Sequence, residues 1–500
     1  MLTAAGRPWN SFKHVSDTLV LSDTCFFIGF IGGSRMQLWQ RMFKKESLTA
    51  YLKSDEHFAK TLTAKDLIGL GIGAVIGTGI FILPGTVAAT TAGPGVVFSF
   101  IIAAIVSGLV AMAYSETASA MPVAGSAYSY GNVIFGEVVG WVLGWALILE
   151  YALGVAAVST GWSAYFANLI APVFKLPTAL SGAYNPAQGT YVNLVAVIIV
   201  LLIGLMLRGG MKESKRIQNA MVLLKVAIII IFIVVGFFFI KSSNLMPMIP
   251  ARMHGAFGVQ GVLAGTSMVF FAFLGFDALS ASAAEVKNPK RDMPIGIIGT
   301  LIIAAILYGL VAFVLTGMVH YTKLNVADPA AFALQQVGQN WAALIITIGA
   351  LIGMFTMMTT MLYASSRLIY AVGRDGLLPG NLGKLNQKGE PNRALGIATI
   401  VVAFFGGMVP LDKLVDLVNM GTLLAFMVVS LGILPLRKRA DVKQDGYKMP
   451  GYPVLPILSA VFTFFLITQL HVETLIAAAI WFVLGLILYL TYGIKHSRMN

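Results

Sequence analysis

The sequence predicts an all-α integral membrane protein with twelve transmembrane helices, and three observations predict it. First, 58% of its 500 residues are hydrophobic and only 11% are charged, with a mean hydropathy of +0.84. That is more apolar than a soluble domain of this size needs to fill its core. Second, apolar runs near the roughly 20 residues a bilayer requires recur twelve times along the chain. Third, lysine and arginine alternate between rich and poor in the intervening loops, as a chain crossing and recrossing a membrane demands.

The runs cover Leu67–Thr90, Gly95–Ser119, Val133–Tyr165, Tyr191–Leu207, Ala220–Ile240 and Val259–Ala284 in the first half. Ile295–His320, Trp341–Val372, Leu395–Val409, Leu414–Leu434, Val454–Leu470 and Thr474–Ile494 follow. With the amino terminus inside, Arg41, Lys44, Lys45, Lys53 and Lys60 are cytoplasmic, and every second loop is basic: Arg208 to Arg216, Lys287 to Arg291, Arg374 to Arg393 and Arg437 to Lys448. Lys495 and Arg498 place the carboxyl terminus inside as well. The opposite loops hold few basic residues: Lys175, Lys241, Arg252, Lys323 and Lys413. An odd number of spans would break this alternation.

The net charge of +13 is therefore topological. No basic stripe with interleaved aromatics suggests nucleic acid. A single cysteine, Cys25, excludes an internal disulfide framework, and no Cys/His cluster suggests a metal. No nucleophile–base arrangement or P-loop is present, and Gly71, Gly73 and Gly77 lack the preceding strand of a dinucleotide fingerprint. The protein is expected not to be an enzyme and to need no cofactor. The first 35 residues resemble neither a span nor a signal peptide, and translation is expected to start at Met36 or Met42.

Two spans are unusual inside. The first carries five glycines between Gly69 and Gly79, followed by Pro84 and Gly85. The sixth runs through Phe270, Phe271, Phe273 and Phe276 and is interrupted by Gly275 and the carboxylate of Asp277. These occupy corresponding positions in two five-helix halves, and paired interruptions of that kind point to a binding site at the membrane midplane. The expected division is a cytoplasmic segment 1–60, a first repeat 61–242, a second repeat 243–436, and two further helices with a cytoplasmic tail in 437–500.

Gly69, Gly73 and Gly77 also have the spacing of a close-packing helix face. The more specific reading is that Ile76-Gly77-Thr78-Gly79 unwinds the helix and presents backbone N–H groups and the Thr78 hydroxyl to a carboxylate. Backbone carbonyls at Phe271, Ala272 and Leu274 would then receive an ammonium group. One anion site facing one cation site matches the backbone of an amino acid. Glu150 lies deep in the third span, where an ionised carboxylate is costly without water or a partner. It either bonds a neighbouring helix or lines the polar centre. Lys225 either snorkels to the cytoplasmic interface or faces the bundle interior, where it could gain and lose a proton and bridge the first, fifth and eighth helices. Phe271 is the candidate lid. Glu285 is expected to pair with loop arginines. Met361, with Met354, Met357 and Met358, is either pliable filler or a limit on substrate side-chain size.

The chain resembles the amino acid–polyamine–organocation superfamily, and within it bacterial transporters similar to the cationic amino acid transporters of animals. The resemblance covers about Leu62 to Asn500. Its carriers are GIGAVIGTGIF (Gly71–Phe81), AYSETASAMPVAGSAYSY (Ala113–Tyr130), WALILEY (Trp145–Tyr151), FFAFLGFDALSASAAEVKNPKRDMPIGI (Phe270–Ile297) and GRDGLLP (Gly373–Pro379). It implies a five-plus-five inverted-repeat core with the last two helices outside it. It also implies that Gly77, Thr78 and Gly79 meet the substrate carboxylate, while the carbonyls of Phe271, Ala272 and Leu274 meet its amine. Lys225 matches the fifth-helix lysine of proton-coupled relatives. Met361 stands where relatives carrying cationic substrates tend to have a smaller residue, which favours neutral amino acids. Ala284 departs from the family, which usually has a second acid there. The expectation is a proton-coupled symporter of amino acids, neutral ones favoured, in the cytoplasmic membrane; the alternatives are a transporter or exchanger of cationic amino acids or polyamines, or a sensor that binds amino acids without moving them. Its partners are the substrate and the bilayer, with no nucleic acid; a small accessory membrane subunit is left open.

Overall fold

The computed structural model describes residues 40–54, 60–209, 215–253, 256–387 and 389–498. The expected translation start lies outside the described residues. Among them there is no β-strand, only isolated bridges such as the parallel one between Leu62 and Val286. With no strands among them to close a barrel, helix is what satisfies each backbone donor and acceptor of an apolar segment in lipid.

The principal helices are α1 (Ala64–Val75), α2 (Val96–Ala120), α3 (Glu137–Ile170), α4 (Leu194–Leu207), α5 (Lys215–Phe237) and α6 (Gly258–Val269). They are followed by α7 (Pro289–Met318), α8 (Asn340–Arg374), α9 (Asn392–Met408), α10 (Leu411–Leu436), α11 (Val454–Thr468) and α12 (Val472–Leu488). Eight helical segments among the described residues are long and apolar enough to cross a membrane, and α4, α9 and α11 are shorter apolar helices. Their outward faces are apolar: Ile302, Ile306 and Leu310 on α7, and Ile476, Ile480 and Leu484 on α12, are exposed.

Local chemistry sets several boundaries. α1 starts at a capping box in which the Thr63 N–H and hydroxyl both donate to Asp66 Oδ2, at 2.9 and 2.8 Å. The third apolar run begins earlier than α3 does, because Val133 belongs to a separate short helix, Ser126–Ile134. Gly136, at φ +116°, separates the two, and a Cβ there would lie 2.7 Å from the backbone of Phe43. Hydropathy does not register such a turn, since both sides of it are apolar.

Two groups of helices pack mainly among themselves. α7 lies along α2 and α1, and α6 packs on α2; separately, α8 lies along α3, α9 packs on α4 and α3, and α4 packs on α3. α5 touches both groups, through α1 and α7 on one side and α8 on the other. α10 packs on α3 and α11. At one end of the bundle, Glu116 at the foot of α2 makes a bidentate ion pair with Arg437 just past α10, at 2.7 and 2.8 Å. Glu116 also accepts from the Met449 N–H at 2.6 Å. α12 is tied to α3 by the stacked rings of Trp145 and Trp481, 4.5 Å apart.

Candidate functional site

Both interruptions anticipated from the glycines are present. α1 stops at Val75; Ile76 is extended (φ −79°, ψ 103°), Gly77 is non-helical (φ −141°, ψ −141°), and helix resumes over Thr78–Phe81. α6 tightens into a 3-10 turn at Phe270–Phe273, opens at Leu274 (φ −63°, ψ 146°) and turns through Gly275 at φ +110°, before a further 3-10 segment, Asp277–Glu285. A left-handed turn at membrane depth is where glycine is required. A Cβ at Gly275 would stand 3.0 Å from the Ala74 backbone.

A helix broken in a membrane leaves carbonyls at one end and N–H groups at the other without intrahelical partners. The carbonyls at the end of α1 are met by side chains. Lys225 Nζ donates to the Gly73 carbonyl at 2.8 Å and to the Ile76 carbonyl at 3.3 Å, and the Tyr308 hydroxyl donates to the Val75 carbonyl at 2.9 Å. Lys225 is 2% exposed, so it does not snorkel. A Cβ at Gly353 on α8 would stand 3.5 Å from the Lys225 stem, so α1, α5 and α8 come together at this point.

On the far side of the break, Thr78 is buried and its hydroxyl has no hydrogen-bond partner. A buried polar atom left unpaired costs about 1–3 kcal/mol, so an orphan hydroxyl beside free N–H groups is suited to receive an anion. The Thr78 methyl packs against Gly161 of α3, where a Cβ would come within 2.4 Å of it. The Tyr165 hydroxyl donates to the Phe81 carbonyl at 3.1 Å, clamping the resumed helix to α3.

The two interruptions touch. A Cβ on Gly79 would lie 2.5 Å from the Cα of Ala272. In α6, the Gly275 N–H turns to Asp277 Oδ1 at 3.2 Å, so the donor that a continuing 3-10 turn would give the Ala272 carbonyl is withdrawn. The Phe271 carbonyl accepts from the Leu274 N–H at 3.2 Å and keeps a second lone pair. Phe271 and Leu274 are buried beside them.

Glu150 of α3 is fully buried, and neither of its carboxyl oxygens has a hydrogen-bond partner. Asp277 and Thr422 of α10 lie beside it. The methionines divide: Met357 Sδ lies 2.0 Å from where a Gly77 Cβ would be, whereas Met361 Sδ approaches Gly154 of α3. Of these two sulfurs, that of Met357 faces the break.

One expectation is corrected. Glu285 makes no ion pair among the described residues. Its backbone carbonyl instead accepts from the Thr61 and Leu62 N–H groups, at 2.9 and 3.0 Å, while the nearby Arg291 is exposed. Backbone pairing, not side-chain charge, joins this loop to the start of α1.

Asp277, Tyr308 and Tyr165 were not singled out for these structural roles by the sequence. Asp277 could have been, since a carboxylate two residues after a helix-breaking glycine can satisfy that glycine's N–H. Nothing local marks the tyrosines, whose acceptors are 233 and 84 residues away.

A separate cavity of about 310 Å3 lies between the amino-terminal segment, the end of α8 and the carboxyl-terminal tail. Glu46, Tyr51, Glu137, Arg374, Asp375 and Arg498 are among its lining. The Glu46 N–H donates to the Asn132 carbonyl and the Glu137 N–H to the Lys44 carbonyl, each at 3.2 Å. Burial, and then the nearby Asp375, push the Glu46 carboxyl above the usual carboxylate range.

The profile of a family described as amino acid permease matches residues 62–492. The chain belongs to the amino acid permease family. Among the relatives of this permease, a methylthioribose transporter of Bacillus subtilis is 45% identical, over 92% of this chain and 99% of its own length. A branched-chain amino acid permease of Lactococcus lactis is 43% identical, over 91% of this chain and 99% of its own. A vacuolar cationic amino acid transporter of Arabidopsis thaliana is 36% identical, over 77% of this chain and 65% of its own. These relatives are permeases and transporters, not enzymes, and the permease is a multi-pass membrane protein.

Proposed function

We propose that this permease takes up neutral amino acids across the cytoplasmic membrane by proton-coupled symport. The chain crosses the bilayer twelve times with both termini cytoplasmic, and α1–α5 and α6–α10 are inverted repeats. The observation that carries the reading is the abutting pair of helix breaks, with the orphan Thr78 hydroxyl on one and Lys225 bonded to the other side of the same break. A zwitterion fits between them. Its carboxylate takes the N–H groups of Gly77, Thr78 and Gly79, and its ammonium takes the carbonyls of Phe271, Ala272 and Leu274, with Ile76 and Glu150 bordering the site. Met357 and Met361 bound the side-chain pocket with apolar surface, which suits a neutral side chain.

Transport follows from alternating access: the group α1, α2, α6 and α7 rocks against α3, α4, α8 and α9, whose separate packing suits that motion. Lys225 is protonated when it bridges α5 to the end of α1; losing the proton weakens two charge-assisted bonds and frees α1 to move.

The test is uptake into proteoliposomes of a radiolabelled panel containing branched-chain amino acids, alanine, arginine and methylthioribose, under a proton gradient, a sodium gradient or neither. Proton-driven accumulation of the neutral amino acids is expected. Uptake of methylthioribose or arginine alone would overturn the substrate assignment, and sodium dependence would overturn the coupling.

A further inference from the structure

Lys225 heads a crevice of about 20 Å3 formed by α1, α5 and α8. Gly73 walls it on α1, Met221 and Val222 on α5, and Thr356 and Thr360 on α8. Three independent chain directions fix which way it runs. α1 and α5 begin at the cytoplasmic end in the proposed topology, and Gly73, Met221 and Val222 all precede Ile76 or Lys225 in the chain. α8 runs the other way, and Thr360 lies one turn after Thr356. Each wall therefore extends from the Lys225 ammonium towards the cytoplasm. Lys225 is buried, but Gly73, Met221, Val222, Thr356 and Thr360 are all partly exposed.

The hydrogen-bond inventory has a matching polarity. An ammonium carries three N–H donors, and two of those on Lys225 go to Gly73 and Ile76. The Thr356 hydroxyl spends its only hydrogen on the Gly353 carbonyl at 2.9 Å, and the Thr360 hydroxyl spends its own on the Thr356 carbonyl at 3.0 Å. Both hydroxyls have only acceptor lone pairs left to offer. Among the described residues no carboxylate or second cation lines the crevice, whose volume suits about one water, which needs two to four polar partners.

We infer that the crevice holds a single water between Lys225 and the hydroxyls of Thr356 and Thr360, and that Lys225 releases its proton to the cytoplasm through this water. The inference rests on the proton-coupling role proposed for Lys225. The water accepts from the remaining Lys225 N–H, donates one hydrogen to a threonine oxygen and turns the other towards solvent at the cytoplasmic opening. On release the Lys225 N–H bond breaks, its proton joins the water oxygen, and one of the water's own protons passes to cytoplasmic solvent. Lys225 is left as a neutral amine and the water is regenerated. Thr360 is a positioning residue: it orients the water and neither bonds nor loses the transported proton.

The test compares Thr360→Val, which keeps the shape and removes the acceptor, with Thr360→Ser, which keeps the acceptor. Proton-driven net uptake is measured against substrate exchange at equal pH on both sides, across a series of internal pH values. The Val variant is expected to exchange at the wild-type rate while its net uptake slows and loses its dependence on internal pH; the Ser variant retains both. Equal net uptake in Val and wild type, or a Ser variant as impaired as Val, would overturn the relay. Independently of folding in the Val variant, Met221→Cys with Cys25→Ser should react with an impermeant thiol reagent supplied at the cytoplasmic face; reaction only from the opposite face would overturn the assigned direction. Lys225→Ala separates the two levels. If it still accumulates substrate on a proton gradient, the coupling role itself is wrong. If it does not, and Thr360→Val behaves as wild type, only the water path is wrong.

Discussion

Lys225 Nζ stands 2.8 Å from the carbonyl of Gly73, so a side chain from α5 occupies the hydrogen-bonding gap that the break in α1 creates. Removing it exposes a dependence that is electrostatic as well as structural. Lys225→Ala leaves two buried carbonyls without a donor, at about 1–3 kcal/mol each. The variant should still bind substrate in a scintillation proximity assay and should fail to accumulate it on a proton gradient. Retained proton-driven accumulation would remove Lys225 from the coupling step.

Gly79 faces the Cα of Ala272, where backbone cannot yield as a flexible side chain can. Gly79→Ala should push the two broken segments apart, at a cost of about 1–3 kcal/mol for an overpacked contact. Isothermal titration on the purified protein should show weakened substrate affinity. Unchanged affinity would mean that the segments are not held together when substrate is bound.

Met361 is buried against α3 near Gly154. Met361→Ser deletes most of that side chain and should extend uptake to amino acids with larger side chains, measured by competition against a labelled small neutral substrate. A variant with an unaltered competition profile would place Met357, beside Gly77, as the residue that limits size.

The Glu116–Arg437 pair is bidentate, and Glu116 is almost completely buried. Breaking such a pair from one side costs about 3–5 kcal/mol, whereas replacing both partners with apolar residues is often neutral. Glu116→Ala should therefore lower the unfolding temperature in detergent markedly, and Glu116→Leu with Arg437→Met should recover much of the loss. If the double variant is no better than the single one, the Met449 N–H that Glu116 also receives is the larger contributor.

Glu46 lies outside the membrane and carries a raised pKa, caused first by burial and next by Asp375; Glu137 acts in the same direction, and Tyr51 and Arg374 oppose it. An acid that binds its proton more tightly in the folded state stabilises the docked segment below its unfolded pKa. That stabilisation is lost as pH rises through the folded value. Hydrogen exchange over residues 40–54 should thus show protection falling as pH rises from the ordinary carboxylate range, and Glu46→Gln should flatten the profile. Protection that rises with pH would show that Glu46 is held as a carboxylate.

Much of this protein is legible in one dimension because the membrane imposes one-dimensional rules. Apolar run length and loop charge are set by bilayer thickness and by insertion, neither of which depends on what packs against what. The break at Ile76 to Gly79 and the turn at Gly275 were legible too, since glycine-interrupted spans at corresponding positions of two halves mark a binding site more specifically than helix packing does. Where the sequence misread the chain, a local reading met a distant constraint. The helix carrying Val133 ends before Gly136, where the Phe43 backbone presses close. Glu285 was expected to meet arginines, yet its loop is fixed by backbone bonds to Thr61 and Leu62.

The sequence by itself determined the helical class, the positions of the two interruptions and the presence of Glu150 and Lys225 inside apolar segments, because each of these is a property of a run of neighbouring residues. Only the tertiary structure decided that Lys225 turns inward to the end of α1, that Tyr308 completes the same broken end, and that Gly79 rests on Ala272. Those are contacts between residues far apart in the chain, and they exist because carbonyls freed at a break in lipid must find donors wherever the packed helices can supply them.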